Sequence, residues 1–260
     1  MKVVIIGSAK SGLMQVQKLQ SCGMIPEERK IVICEKTCLA SFGQSFLREC
    51  CAKSQEEIAT AYGNQETLLK GERASLRLLT AARLVDPVNR VVTVQKRESD
   101  TPEQLPYDLL ILATGRTGSI PDVPGSTLQG VMTLENLEDL LFLKEFTKSR
   151  FIRNIVVHGE DDTAQALATA LRAGGKDVTV LSPKDSIMGF EGNIFVSRLL
   201  TRQGEVPCDL YVSRLELDRP GDVIVSLPEA LAPDGRLIAD AAGKIQRYEG
   251  IYAAGRIARG

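Results

Sequence analysis

The sequence predicts an α/β protein of two units, each built on a parallel, doubly wound sheet in three layers. Three observations predict it. A short run of β-formers, Val3-Val-Ile-Ile6, leads through a glycine-bounded turn into a stretch of helical spacing. The same order of elements recurs from Ile155 onward. The chain has 260 residues, 43% of them hydrophobic and 25% charged, which is ordinary for a globular protein and leaves room for one large domain or two small ones.

In the first unit the strand ends at Gly7 and the turn runs Gly7-Ser-Ala-Lys-Ser-Gly12. A helix follows with Leu13, Val16 and Leu19 on one side, and Gly23 ends it. Ile31-Val-Ile-Cys34 is the next strand, closed by Glu35. In the second unit Ile155-Val-Val157 runs into Gly159, and a helix carries Ala164, Leu167, Ala168 and Leu171 on one side. Gly174-Gly175 stops that helix, and Val178-Thr-Val-Leu181 is the following strand. Both are β-turn-α-β units, which makes them Rossmann-like. Phe195 to Leu200 reads as a further short helix.

The first turn carries a phosphate-binding chemistry. In Gly-x-Gly-x-x-Gly the first glycine makes the tight turn, the second admits a pyrophosphate to the backbone, and the third lets helix pack on strand. Helix N-terminal N–H groups and the helix dipole then hold the anion. Here Gly7 and Gly12 stand in place, Ala9 takes the middle position, and Ser8 and Ser11 complete the turn. Glu35, followed by Lys36, ends the second strand, where a carboxylate accepts hydrogen bonds from an adenosine ribose. The second turn fails the same test. Asp161 holds its middle position, flanked by Glu160 and Asp162, and Ala164 replaces the third glycine. Three carboxylates suit the helix dipole without a ligand but repel a pyrophosphate by roughly a few kcal/mol. The second strand ends in Ser182-Pro183, with neither an acid for a ribose nor an arginine for a 2′-phosphate.

Lys and Arg number 32 against 33 Asp and Glu, a net charge of −1, which offers no electrostatic footprint for nucleic acid or an anionic membrane. The apolar run Leu109–Ala113 is far shorter than the ~20 residues of a membrane span. Only four apolar residues separate Lys2 from Gly7, too few for a secretory signal, so a soluble, intracellular protein is expected. The six cysteines form no C-x-x-C pair and there is one histidine, so no metal site or disulfide framework is expected. Cys38, Cys50 and Cys51 are expected to be buried or half-buried, and His158 to be a core or turn histidine.

Between the units lie Tyr107-Asp-Leu-Leu-Ile-Leu-Ala-Thr-Gly115 and Ile120-Pro-Asp-Val-Pro-Gly125. With them, in order, come Glu35-Lys36, Ser41-Phe42, Asp86-Pro87 before Val91-Val-Thr-Val94, Thr133-Leu-Glu-Asn-Leu-Glu-Asp139, and Gly250-Ile-Tyr-Ala-Ala-Gly255. On these segments the chain resembles the FAD-dependent pyridine nucleotide-disulfide oxidoreductases, most of all the coenzyme A-disulfide reductase and NADH oxidase branch. The resemblance implies an FAD/NAD(P)-binding domain fold, with an FAD domain over 1–117 plus 234–260 and a reduced NAD(P) domain over 118–233. It implies that Gly7, Ala9, Gly12 and Glu35 meet the ADP half of FAD. It also implies that Ala113, Thr114 and Gly115 run close to the dinucleotide, that Ala82 lies near the adenine, and that Gly255 and Arg256 follow the returning strand.

The departures from the family carry as much information. Ser45 stands at the redox-cysteine position of Ser41-Phe-Gly-Gln-Ser45, and an alcohol does no thiolate exchange at neutral pH. Arg256 replaces an acid that accepts a ribityl hydroxyl, and arginine only donates. From Asn193 to Cys208 the chain is expected to have lost several strands of the NAD domain. It stops at Gly260, where the family's last FAD helix and a dimerisation domain are expected. FAD is therefore expected at the first unit only, and NAD(P) at neither. The expected function is a non-catalytic, flavoprotein-like scaffold or docking module, cytoplasmic or cytoskeletal, with other protein subunits as partners; domains of this sort occur in large assemblies, motile-cilium complexes among them. The alternative is an FAD-dependent NAD(P)H oxidoreductase, alone or as one part of a split enzyme. Fold analogy does not decide between them; the sites must.

Overall fold

The computed structural model describes residues 1–71, 74–116, 118–216 and 226–259, the side chains of 66, 68–71 and 216 excepted. In chain order its elements are β1 (Lys2–Gly7), α1 (Ala9–Ser21), β2 (Lys30–Cys34), α2 (Gln44–Cys51), α3 (Gln55–Gly71) and β3 (Ala74–Arg77). Then come β4 (Thr80–Asp86), β5 (Val91–Lys96), β6 (Glu103–Pro106), β7 (Leu109–Ala113), β8 (Gly118–Ser119), β9 (Val131–Thr133) and α4 (Leu137–Phe146). β10 (Asn154–His158), α5 (Asp162–Ala173), β11 (Asp177–Leu181), β12 (Ile187–Gly192), β13 (Val196–Thr201) and β14 (Gly204–Pro207) follow. The chain closes with β15 (Leu210–Ser213), β16 (Leu215–Glu216), β17 (Leu237–Ile238), β18 (Ile251–Ala253) and β19 (Ala258–Arg259). Two units result, one of residues 1–43, 59–116 and 218–260, the other of 44–58 and 117–217.

The first unit is organised by a parallel sheet in the order β18-β7-β1-β2-β3. Val3–Ile6 and Leu109–Ala113 are buried throughout, as central strands covered on both faces must be. β1 pairs Val3 with Ile31 on one side and with Leu109 on the other, so the chain order reverses direction at β1. α1 turns Leu13, Val16 and Leu19 inward. β4, β5 and β6 form a separate antiparallel sheet whose Val85, Val92 and Val94 join Leu110, Leu112 and Ile251 in one core. The β4–β5 turn is held by Asp86, which accepts from the N–H groups of Val88 and Asn89 at 3.0 and 2.9 Å.

In the second unit the parallel order is β11-β10-β15-β9. α5 buries Ala164, Leu167, Ala168 and Leu171, the residues its spacing puts on one side. α4 starts at a capping box in which Asn136 accepts from the Asp139 N–H and Asp139 accepts from that of Asn136. β12, β13 and β14 make an antiparallel meander over Phe190, Val196 and Leu199.

Three sequence expectations are corrected here. Phe195–Leu200 is no helix: Val196–Thr201 is the middle strand of the meander, pairing Leu199 with Phe190 and with Val206. Its apolar spacing fits a helix, but six residues are too few to nucleate one, and two flanking strands satisfy its backbone. The interval 193–208 therefore holds β13 and β14 rather than a gap. Cys38 is exposed, on the loop after β2, not buried. Residues 44–58 group with the second unit, where α2 packs on α5 and buries Phe46, Leu47, Cys50 and Cys51. Leu227 and Ala230 already belong to the first unit's core. The expected break at 117 lies outside the described residues.

Candidate functional site

The residues singled out in the first unit converge on the C-terminal ends of its parallel strands, the edge at which open α/β sheets bind ligands. Gly7 has φ +93, and a Cβ there would lie 2.6 Å from Ala113 O and 2.7 Å from Thr114 Cα. Only glycine allows the ends of β1 and β7 to approach this closely, and the Ser8 N–H seals the junction at 2.9 Å to Ala113 O. Ser8 is the N-cap of α1; its Oγ accepts from the Ser11 N–H and donates to Ser41 O at 3.2 Å. Ala9 is buried in the first turn. At Gly12 a Cβ would stand 2.2 Å from Ile5 Cγ2, so the helix lies as near the sheet as the backbone permits. The first-turn N–H groups of α1, which have no acceptor within the helix, open on this edge.

Glu35 ends β2 and is 5% exposed. Its Oε1 accepts from the Lys36 N–H at 2.8 Å. Burial pushes its carboxyl up from the ordinary 4.5, against hydrogen bonds from Thr37 and Lys36 that pull the other way. Lys36 itself is exposed. The Glu35 carbonyl accepts from the Thr80 N–H at 2.8 Å, which brings the start of β4, and with it Ala82, to the end of β2. At the other side of β1, Gly115 has φ +68 and Gly255 φ +75. A Cβ on Gly115 would meet Arg256 Nη2 at 3.9 Å, and one on Gly255 would meet Ser11 Oγ at 3.3 Å. The structure thus brings together Gly7, Ser8, Ala9, Ser11, Gly12, Ala113, Thr114, Gly115, Gly255 and Arg256, with Glu35, Lys36 and Ala82 along the same edge. Ser45 is an exposed residue of the first turn of α2, which groups with the other unit.

The equivalent turn of the second unit is filled from within. Asp161 is the N-cap of α5 and accepts from the Ala164 N–H at 2.8 Å. Its carboxylate pairs with the guanidinium of Arg214, whose side chain is 4% exposed. Arg214 also donates to Gln44 Oε1 at 2.9 Å and to Leu134 O. Arg214 Cβ lies 2.6 Å from where a Cβ on Gly159 would stand, so the arginine lies against the glycine turn itself. Sequence reasoning missed Arg214. The signal was an arginine directly after the buried strand Leu210–Ser213, which runs beside β10 and so ends at the carboxylate run 160–162. His158 is buried; Nδ1 is 2.6 Å from the Tyr211 hydroxyl and Nε2 2.9 Å from Ser182 O. Burial holds its pKa below the ordinary 6.5, as for a core histidine.

Among the described residues no helix is long and apolar enough to cross a membrane, and no group of three or more His, Cys, Asp or Glu is placed to hold a metal ion.

Comparison with known proteins agrees with this architecture. The chain is 22% identical over 195 residues to the NAD(P)H sulfur oxidoreductase (CoA-dependent) of Pyrococcus furiosus, covering 64% of this chain and 44% of that protein. It is 23% identical over 192 residues to an NADH oxidase of Methanocaldococcus jannaschii, covering 72% and 41%. It thus spans less than half the length of these curated relatives. A NAD-dependent persulfide reductase from A. fulgidus superposes with a TM-score of 0.81 at 20% identity, over 99% of this chain and 53% of that one. The water-forming NADH oxidase from Lactobacillus brevis, bound to NADH, gives 0.80 at 18%, over 99% and 62%. At such identities the structures speak for the fold, a pair of Rossmann-like units. Residues 1–205 match the family model described as pyridine nucleotide-disulphide oxidoreductase. The chain belongs to the pyridine nucleotide-disulphide oxidoreductase family.

Proposed function

We propose that this chain is a flavoprotein-type module that holds FAD by its adenosine end and does not turn over NAD(P)H, acting instead as a docking unit for other proteins. One observation carries the reading: the second dinucleotide turn is occupied by the chain's own Asp161–Arg214 pair. A pyrophosphate entering there would have to displace the pair and then face Glu160 and Asp162.

The first unit's residues fit the ADP half of FAD. Gly7 and Gly12 stand where a Cβ would collide with Ala113, Thr114 and Ile5, which seats the start of α1 at the strand ends, and a helix N-terminus there suits a diphosphate. Glu35 ends β2 with carboxylate lone pairs for ribose hydroxyls. When bound, FAD supplies a ring that accepts a hydride. This chain's own contribution to redox chemistry is reduced, because Ser45 offers a hydroxyl where a thiolate would be needed and Arg256 offers only donors. A second reading, an FAD-dependent NAD(P)H oxidoreductase working alone or as part of a split enzyme, is favoured by the names of the relatives, which are NAD(P)H enzymes.

Equilibrium dialysis of the protein against FAD, and separately against NADH, distinguishes the two. Saturable FAD uptake without NADH uptake supports the docking-module reading. Saturable NADH uptake that is lost when Gly159 is replaced by a bulky residue supports the enzyme.

A further inference from the structure

The outer side of α5 differs from an ordinary solvent face. Between Asp162 and Arg172, at its two ends, the helix carries no charge. Leu167 and Leu171 are buried, Ala166 and Ala170 are half-buried, and Gln165 and Thr169 are exposed. This side forms one wall of a groove of about 650 Å³, whose other walls are α4, at Leu143, and the end of α2, at Cys51. That volume holds between one and two turns of a helix ~10 Å across. Most of the lining residues are apolar, and Lys144, Lys148 and Lys176 stand among them. Among the described residues lining the groove none is acidic. Lys144 donates to Cys51 O at 2.7 Å and Lys176 to Ile152 O at 2.6 Å, bonds to neutral carbonyls that fix the ammonium groups; Glu57 acts on Lys144 from α3, and partial burial lowers that lysine's pKa. Lys148 pairs with Glu145.

We propose that this groove docks an amphipathic helix of a partner protein, its apolar face against Ala166 and Ala170 and its acidic flanks over Lys144 and Lys176. Helix-in-groove recognition needs an apolar trough, and small residues at i and i+4 let a second helix approach. Charge decides the occupant. A second copy of this chain, offering the same groove, would set lysines against lysines. An anionic membrane is matched by clusters of roughly four to eight basic residues, more than stand here. An acidic helix satisfies both the apolar lining and the lysines. The proposal extends the docking-module reading, whose own test, dinucleotide uptake, is a separate measurement; loss of one result leaves the other standing.

The test uses the full chain and two designed helical peptides with the same apolar face, one flanked by glutamates and one by lysines, followed by fluorescence anisotropy. The acidic peptide is expected to bind at least about tenfold more tightly than the basic one. Charge reversal of two of the lysines (Lys144→Glu with Lys176→Glu) is expected to invert that preference. Because both lysines also brace backbone carbonyls, Ala170→Glu serves as the second variant: glutamate is a good helix former, the site is half-buried, and acidic binding is expected to vanish while the thermal transition persists. Equal affinity for the two peptides, or acidic binding that survives Ala170→Glu, overturns the proposal. So does tighter binding to phosphatidylserine vesicles than to the acidic peptide, or self-association abolished by Ala170→Glu.

Discussion

Asp161→Asn is expected to destabilise the protein more than Arg214→Met, although the aspartate is the more exposed partner. The Asp161 side chain is 43% exposed and that of Arg214 4%. Asparagine caps a helix as well as aspartate does, so the Ala164 N–H keeps its acceptor and only the charge is lost. Arg214 is then a buried cation left with neutral acceptors only, chiefly Gln44 Oε1 and Leu134 O, beside the amide oxygen at 161. Stranding a buried charge costs ~3–5 kcal/mol, and those acceptors place this case at the lower end, about 3 kcal/mol. Arg214→Met removes the buried charge and leaves Asp161 within reach of water; it loses charge-assisted hydrogen bonds and strands the neutral Leu134 carbonyl, about 1–2 kcal/mol in all. Urea unfolding followed by far-ultraviolet circular dichroism, with the double variant closing the cycle, measures both values. An Asp161→Asn protein no less stable than Arg214→Met would refute the view that this pair is an internal plug held by the buried arginine. The same view predicts that Asp161→Gly gains no NADH affinity, since Arg214 still lies against Gly159.

Gly7→Ala is expected to cost about 3 kcal/mol or more, because its neighbours Ala113 O and Thr114 Cα are backbone and its φ is +93; Gly12→Ala meets a side chain at Ile5, costs ~1–3 kcal/mol, and is relieved by Ile5→Ala in thermal unfolding. A thiol-reactive disulfide reagent is expected to modify Cys22 and Cys38 in the folded protein, while Cys34, Cys50 and Cys51, pushed up to about 11 by burial, and Cys208, to about 12, react only on unfolding. Because burial raises the folded pKa of Glu35, its contribution to stability is full below 4.5 and is lost as pH rises through the raised value. Glu35→Gln should therefore gain stability relative to the parent over that window in denaturant titrations at stepped pH, while weakening FAD uptake.

Both β-turn-α-β units were legible because their signals are local. Val3–Ile6 and Ile155–Val157 are apolar runs before glycine turns, and Leu13, Val16 and Leu19 recur at helical spacing. The sites in the first turn were legible for the same reason: Gly7 and Gly12 are demanded by clashes with the next strand and with Ile5, which the motif already encodes. β13 was not legible, because Phe195, Leu199 and Leu200 satisfy a helical pattern over a short stretch and only pairing with Phe190 and Val206 settles it. Arg214 was missed for a different reason. It stands 53 residues from Asp161, and their meeting depends on β15 lying beside β10, a pairing no local pattern announces. The exposure of Cys38 follows from the path of the loop after β2, which composition does not constrain.

Anaerobic titration of the FAD-reconstituted protein with NADH, followed by visible absorbance, bears most directly on whether the second turn is closed. Bound flavin whose absorbance persists under excess NADH, yet bleaches with dithionite, is the expected result. Stoichiometric bleaching by NADH would contradict it, and would place this chain among the catalytic members of its family.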